Sequence, residues 1–188
     1  VLPGDDTRLA RSLATLADSL VAQRKRDEAE PLLRRALSID EKALGPEHPD
    51  LAVPLASLAE IANARGRYVE SEALFGRAIA IQSHARGEEH PFVLTCLGNQ
   101  AWTQAMQGKH AEAESQFKRV LAAQERTRGF DHRDVADTLD LYGHFLRRIG
   151  RPEEADRLGA RARAIKGKER TREGKDRQCG VDTEPLPC

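Results

Sequence analysis

Three histidines recur at a fixed interval and are the side chains whose chemistry first suggests a metal site. His48, His90 and His132 are each separated by 42 residues. If each repeat is a pair of packed helices, this spacing puts them on successive loops, on the order of 10 Å apart or somewhat more. Zinc needs its nitrogen ligands about 2 Å away, so adjacent loops cannot share one ion. We therefore predict that the histidines cap loops and that the chain has no metal site.

Cys96 is the other side chain with reactive chemistry, but its surroundings favour a structural role. It is adjacent to Leu97 in an apolar helical segment, which predicts a small, buried apolar residue. A cysteine nucleophile would need a nearby base held by a third group. The sequence contains no such arrangement, no Gly-rich phosphate loop and no paired metal-ligand motif. We predict no catalytic residues, no metal and no cofactor.

The elements that position these residues follow from a repeat of 42 residues. Two independent landmarks keep this step over three copies, so each copy predicts one structural unit. One landmark is the loop that contains the histidines, and the other is a second series of glycines. The loops open at Gly45, Gly87 and Gly129, and the second series is Gly66, Gly108 and Gly150, with Arg24 in its place in the first copy.

Within each unit the apolar residues have helical spacing. Leu9, Leu13, Leu16 and Leu20 recur at three- and four-residue steps, which predicts a first helix. The second helix opens with acidic residues, which suit a helix N-terminus. Eight helices in four antiparallel pairs follow. One pair cannot bury its apolar stripe alone, so neighbouring pairs must stack into a solenoid.

Small residues at fixed phases predict where the helices cross. Small side chains let helix axes approach, while larger apolar residues between them fill the seam. Three such series keep the 42-residue step: Ala17, Ala59, Ala101 and Gly143; Ala29, Ser71, Ala113 and Ala155; Ala36, Ala78, Val120 and Ala162.

These features resemble tetratricopeptide repeats, and more narrowly the 42-residue repeats of the kinesin light chain type. The resemblance is carried by residues 36–50, ALSIDEKALGPEHPD, and residues 66–75, GRYVESEALF, and it extends over roughly residues 7–165. Gly159 departs from the pattern, because the other repeats have a large residue there, and the His-Pro loop is lost after the fourth pair. The last repeat is therefore the weakest, or it acts as a cap.

The predicted fold class is all-α: a right-handed α-solenoid of four helix-turn-helix repeats, with eight helices and a charged C-terminal tail. The predicted boundaries are a lead-in at 1–8, repeats at 9–50, 51–92, 93–134 and 135–168, and a disordered tail at 169–188.

The resemblance implies that the first helix of each pair lines a concave groove that binds a peptide or helix of a partner. In this family an asparagine often clamps the peptide backbone, and only Asn99 matches that position, so clamping along the whole groove is not expected. Trp102 is predicted to anchor the partner, although it could instead fill a packing gap between repeats. The groove positions carried over are Asp18, Glu60, Asn63, Asn99, Trp102, Met106, His144, Arg147 and Arg148.

Charge differs along this predicted groove. Asp18 and Glu60 in its N-terminal half favour basic partner residues, and Arg147 and Arg148 in its C-terminal half favour acidic ones. Over the whole chain 30 basic residues balance 30 acidic ones, which disfavours a uniformly basic nucleic-acid binder. Residues 161–177 are basic, with eight positive and three negative side chains. No aromatic residue interleaves with them for base stacking, so we predict a solvated helix end rather than a nucleic-acid site.

Other features of the composition bear on location. No apolar run is long enough for a membrane span, and no secretory signal begins the sequence. Three cysteines, Cys96, Cys179 and Cys188, do not make a disulfide framework. A reduced, cytoplasmic setting is the default prediction.

The predicted function is a noncatalytic protein–protein interaction scaffold that binds a peptide or helix in the groove. One alternative is a self-assembling array, because Leu9, Leu13 and Leu16 lack a preceding repeat and could stack end to end on another copy. Another is the sensor or scaffold arm of a longer regulatory protein, because the first residue is Val rather than Met.

Overall fold

The computed structural model describes the backbone of residues 3–179 and the side chains of residues 6–168. This part of the chain contains eight α-helices and no strand, which confirms the predicted all-α solenoid of helix-turn-helix repeats. The helices are α1 (Pro3–Ala22), α2 (Arg26–Leu44), α3 (Ala52–Ala64), α4 (Tyr68–Arg86), α5 (Pro91–Met106), α6 (His110–Arg128), α7 (Arg133–Arg148) and α8 (Pro152–Cys179), and a 3-10 turn at Pro49–Leu51 precedes α3.

Both ends of the array are more helical than the sequence boundaries suggested. Helix α1 begins at Pro3, within the predicted lead-in. Helix α8 continues to Cys179, so helix rather than an irregular tail covers residues 169–179. Residues in this extension are mostly Arg, Lys and Glu, which have good helix propensity even without apolar contacts to bury. The rest of the predicted tail, residues 180–188, lies outside the described residues.

The turn inside each helix pair reverses the chain through one residue in the left-handed region. Its φ is 73° at Gly66 and 63° at Arg24. After the turn, the N–H of Arg67 donates to the carbonyl oxygen of Ala62 at 2.8 Å. This bond closes the helix end in the manner of a Schellman motif, for which glycine is the preferred residue.

The loop histidines are N-caps of the helices that follow them, which confirms the predicted capping role. The Nδ1 atom of His48 accepts the N–H of Asp50 at 3.3 Å, and that of His90 accepts the N–H of Phe92 at 3.3 Å. His132 does the same for α7, with Asp134 as the donor at 3.1 Å. Each imidazole satisfies a backbone donor that has no partner within its own helix.

The chain forms two compact units, Val1–Val120 and Leu121–Cys188, here called the first and second unit. In the first unit α1 packs along α2 and α3 along α4, while α2 contacts α3 and α4 contacts α5. In the second unit α7 packs along α8. The three predicted series of small residues are buried at every position. Their neighbours in the cores are large apolar residues, among them Leu33, Leu55, Leu58, Ile61 and Phe75 in the first unit and Val135, Leu139 and Ile165 in the second.

Candidate functional site

Six predicted groove residues lie on the first helices of the first unit, and we call them the first-helix surface: Asp18 on α1, Glu60 and Asn63 on α3, and Asn99, Trp102 and Met106 on α5. The structure links neighbouring helices through these side chains. The Nδ2 atom of Asn99 donates to Oε1 of Glu60 at 3.3 Å. On the other side, the charge of Asp18 acts on Glu60 strongly enough to change its pKa.

Glu60 is the residue of the first-helix surface whose pKa is changed by its surroundings. Its side chain is exposed to water, yet its pKa is raised above the ordinary value of 4.5. The main cause is desolvation by the surrounding protein, and repulsion by the Asp18 carboxylate adds to it, while Arg26 opposes both. Both effects disfavour the charged form of a carboxyl group. A cation that approached Glu60 would therefore relieve an existing repulsion.

Trp102 lies one helical turn after Asn99 on α5 and is half-buried. Partial burial is compatible with both predicted roles of Trp102, which are packing between repeats and contact with a partner. Met106, one turn further, is also half-buried. Asn63 lies one turn after Glu60, and its Oδ1 atom is buried without a hydrogen-bond partner among the described atoms.

The other three predicted groove residues lie on α7 in the second unit. His144, Arg147 and Arg148 are all exposed. A guanidinium nitrogen of Arg147 contacts Oδ1 of Asp156 at 2.6 Å. Arg147 thus already has an acidic partner, whereas Arg148 forms no ion pair with a described side chain. A partner carboxylate would have to compete with Asp156 for Arg147.

The described residues contain no cluster that could hold a metal ion, and the Cys96 thiol is buried. Cys96 is only 2% exposed, as the sequence predicted. Burial raises the pKa of its thiol to about 12, and the charge of Glu60 contributes. A thiol with a raised pKa is a poor nucleophile at neutral pH. Within the part of the chain that the structure describes, no group of three or more His, Cys, Asp or Glu side chains could hold a metal ion.

A cluster of ion pairs next to the helix turns was not predicted from the sequence. Glu30 on α2 is buried and accepts hydrogen bonds from Arg34 and Arg67, both at 2.8 Å, and from Arg65. In the next repeat Glu72 accepts from Lys109 at 2.7 Å and from Gln107 at 2.8 Å. Glu30 and Glu72 are 42 residues apart, as are the donors Arg65 and Gln107 and the donors Arg67 and Lys109, so this recurrence was the available signal. From the sequence alone, the acidic residues are predicted only to favour the N-terminus of the second helix.

A cavity of about 410 Å³ lies beside α4, away from the first-helix surface. Arg77 in its wall is held by Oε1 of Glu41 at 2.5 Å and by the carbonyl oxygen of Pro46 at 2.9 Å. None of the predicted site residues lines it. The lining residues are Pro46, Glu47, Arg77, Ala80, Ile81 and His84.

Solved structures similar to this chain are repeat proteins of the same kind. Two contain the nearly identical TPR-like repeats of a protein described as a kinesin light chain of Podosopora anserina. They are 27% and 28% identical, cover 86% and 85% of this chain and 76% of their own, and have TM-scores of 0.69 and 0.65. BtubC (BKLC) from P. vanneervenii shares the fold at 19% identity, with a TM-score of 0.71 over 96% of this chain and 67% of its own. No curated protein sequence gives a significant match.

Family comparison covers nearly the whole helical array. One tetratricopeptide repeat family matches residues 54–126 and 107–168, and a second matches residues 9–50. Such repeats generally mediate protein–protein interaction and scaffolding. No helix within the described residues combines the length and apolar character that crossing a membrane requires. With its helix pairs, left-handed turns and 42-residue step, the chain belongs to the tetratricopeptide repeat family, in its kinesin light chain-like form.

Proposed function

We propose that the chain is a noncatalytic protein–protein interaction scaffold whose first-helix surface binds a segment of a partner protein. The observation that carries the proposal is the hydrogen bond between Asn99 on α5 and the exposed Glu60 on α3, with the half-buried Trp102 one turn after Asn99. The charge of Asp18 on α1 acts on the same carboxylate. Polar groups that can orient a chain and an aromatic anchor thus lie together on adjacent helices. Interfaces draw most of their binding energy from a few such residues.

A small residue next to these side chains supports binding of a partner main chain. Ala14 lies one turn before Asp18 on α1 and is half-buried. Because its side chain is short, a partner backbone can approach α1 closely at this position. The Asn99 amide has two N–H donors and gives one to Glu60, so the other can bind a carbonyl oxygen of the partner.

The test is a selection of peptides displayed on phage against the whole chain, followed by binding titrations with the selected peptides. Replacing Trp102 by Ala should weaken their binding by about 30-fold or more, because removing an aromatic anchor costs about 2 kcal/mol or more. The measurement is fluorescence polarisation of labelled peptides, with circular dichroism melts to show that the variant is folded.

Tyr68→Ala is the matched control, because Tyr68 is a half-buried aromatic residue of the same unit that lies outside the first-helix surface. Its removal should leave peptide affinity within about twofold, as expected for a residue outside the binding hot spot. The proposal is wrong if Trp102→Ala binds the selected peptides as tightly as the parent chain does.

A further inference from the structure

Asp18 and Glu60 are exposed acidic groups that form no ion pair with a described basic residue, in contrast to Glu30 and Glu72 of the same unit. Glu30 and Glu72 are each bonded to Arg or Lys side chains. Neither Asp18 nor Glu60 forms an ion pair with a described basic residue, and the hydrogen bond that Glu60 receives comes from the neutral Asn99. The first-helix surface thus carries two adjacent negative charges that the first unit does not neutralise.

Trp102 adds a second property to the same place. Asn99 holds the Glu60 carboxylate toward α5, and the half-exposed indole of Trp102 follows one turn later on that helix. A cation in contact with Glu60 would thus lie beside the part of α5 that carries Trp102, where it could reach the indole. Attraction to the ring reinforces attraction to the carboxylate, and the effect is largest for tryptophan.

A guanidinium fits these features better than an ammonium. It is planar, presents several N–H donors in a fixed plane, pairs with carboxylates through two parallel hydrogen bonds and stacks on aromatic faces. An ammonium is a compact and strongly hydrated charge that does not stack. A guanidinium also has five N–H donors against three for an ammonium, so it can bond to both carboxylates at once.

We infer that the partner segment presents an arginine to the first-helix surface, where its guanidinium pairs with Glu60 and Asp18 and stacks on Trp102. This inference rests on the proposed function and specifies the chemistry of the partner. Arg26 contributes a weak opposing charge but forms no ion pair with either carboxylate.

The experiment uses the intrinsic fluorescence of Trp102, the only tryptophan in the chain. The probes are short acetylated and amidated peptides of Ser and Ala with one central residue, which is Arg, Lys, citrulline or Glu. Citrulline has the shape of arginine without its charge. The arginine peptide should shift the emission saturably and bind roughly tenfold more tightly than the citrulline peptide, as loss of a charge-assisted pair predicts. The lysine peptide should lie between them, and the glutamate peptide should bind weakest.

Glu60→Gln should remove most of the preference for arginine over citrulline, while keeping a side chain that can accept the Asn99 hydrogen bond. Asp18→Asn should reduce the preference independently on a different helix. Glu88→Gln is the matched control, because Glu88 is an exposed acid of the same unit on the loop before α5, and it should leave the preference unchanged.

Equal affinities for the arginine and citrulline peptides would overturn the inference, and so would a preference that survives both Glu60→Gln and Asp18→Asn. Absence of any fluorescence change with the arginine peptide would overturn it as well. These outcomes leave the proposed function standing if display-selected peptides still bind through Trp102. The inference about arginine and the proposed function are both wrong if the display-selected peptides bind Trp102→Ala as tightly as they bind the parent chain.

Discussion

The Cys96 thiol lies close to the candidate site but cannot take part in chemistry there. It is buried in the core cluster that contains Leu55 and Phe75. Desolvation raises its pKa to about 12, and the negative charge of Glu60 adds to the shift. With such a pKa only roughly one molecule in ten thousand carries a thiolate at pH 8. The same acidic surface that suits a cationic partner therefore suppresses the nucleophilicity of the thiol beneath it.

Labelling with iodoacetamide at pH 8 should distinguish this inert thiol from an exposed one. In a chain carrying Cys179→Ser and Cys188→Ser, we expect Cys96 to react at least about 100-fold more slowly when folded than in urea. Mass spectrometry after timed quenching measures both rates. Free N-acetylcysteine in the same urea controls for the reagent. If Cys96 is alkylated at equal rates in the folded chain and in urea, its thiol is accessible and is not buried as the structure shows.

At the scale of the helical elements, Arg24 is the position where sequence and local geometry disagree. It occupies the left-handed turn with a φ of 63°, where the later repeats have glycine. A non-glycine residue pays a steric cost of about 1–2 kcal/mol in this region. The first turn is therefore the strained member of the series.

Arg24→Gly should stabilise the chain by about 0.5–1 kcal/mol, because relief of the steric cost exceeds the extra entropy that glycine has in the unfolded chain. Gly66→Arg is the reciprocal control: no atom lies within 4 Å of where its Cβ would be, so its cost comes from the backbone conformation. Gly66→Arg should lower the free energy of unfolding by a similar amount. Urea unfolding, monitored by the fluorescence of Trp102, measures the stability of both variants. A loss of stability in Arg24→Gly would contradict the claim that Arg24 is strained in the left-handed conformation.

Elements that depend on local spacing could be predicted from the sequence, and those that depend on side-chain partners could not. The 42-residue step predicted the helix pairs and the capping histidines, because turn and cap chemistry acts over a few residues. The Asn99–Glu60 hydrogen bond joins residues 39 apart in the sequence, and its formation depends on how α3 and α5 pack. Helix α8 extends beyond the predicted end of the fourth repeat because Arg, Lys and Glu, which have good helix propensity, make up most of residues 169–179.

At the scale of the whole molecule, the equal numbers of acidic and basic residues conceal two different uses of charge. In the first unit, the acids beside the turns are paired across repeats, as Glu30 is with Arg67 and Glu72 with Lys109. These pairs connect each repeat to the next, which matters in a solenoid because its stability comes largely from contacts between neighbouring repeats. Asp18 and Glu60 of the first-helix surface instead form no ion pair with a described residue and are exposed, so a partner can reach them.

This division predicts how the stability of the first unit depends on pH. Burial acts to raise the pKa of Glu30, but hydrogen bonds from Arg34 and Arg67 and the charges of Arg67 and Arg65 outweigh it and hold the pKa below 4.5. A carboxyl with a lowered pKa in the folded state binds fewer protons than in the unfolded state. Its stabilisation is therefore complete above the unfolded pKa and is lost as the pH falls through the folded value.

Glu30→Gln should lower the free energy of unfolding by about 1–2 kcal/mol at pH 7, since it removes charge-assisted hydrogen bonds to arginines that remain partly hydrated. The difference between the parent and the variant should shrink below about pH 4.5, as the parent carboxyl becomes protonated and resembles the amide. Urea unfolding at pH 7, 5, 4 and 3, again followed by Trp102 fluorescence, gives the comparison. Glu28→Gln, an exposed acid on the same helix, should change little at any of these pH values. A difference between the parent and Glu30→Gln that stays constant down to pH 3 would mean that the Glu30 cluster contributes through packing rather than through charge.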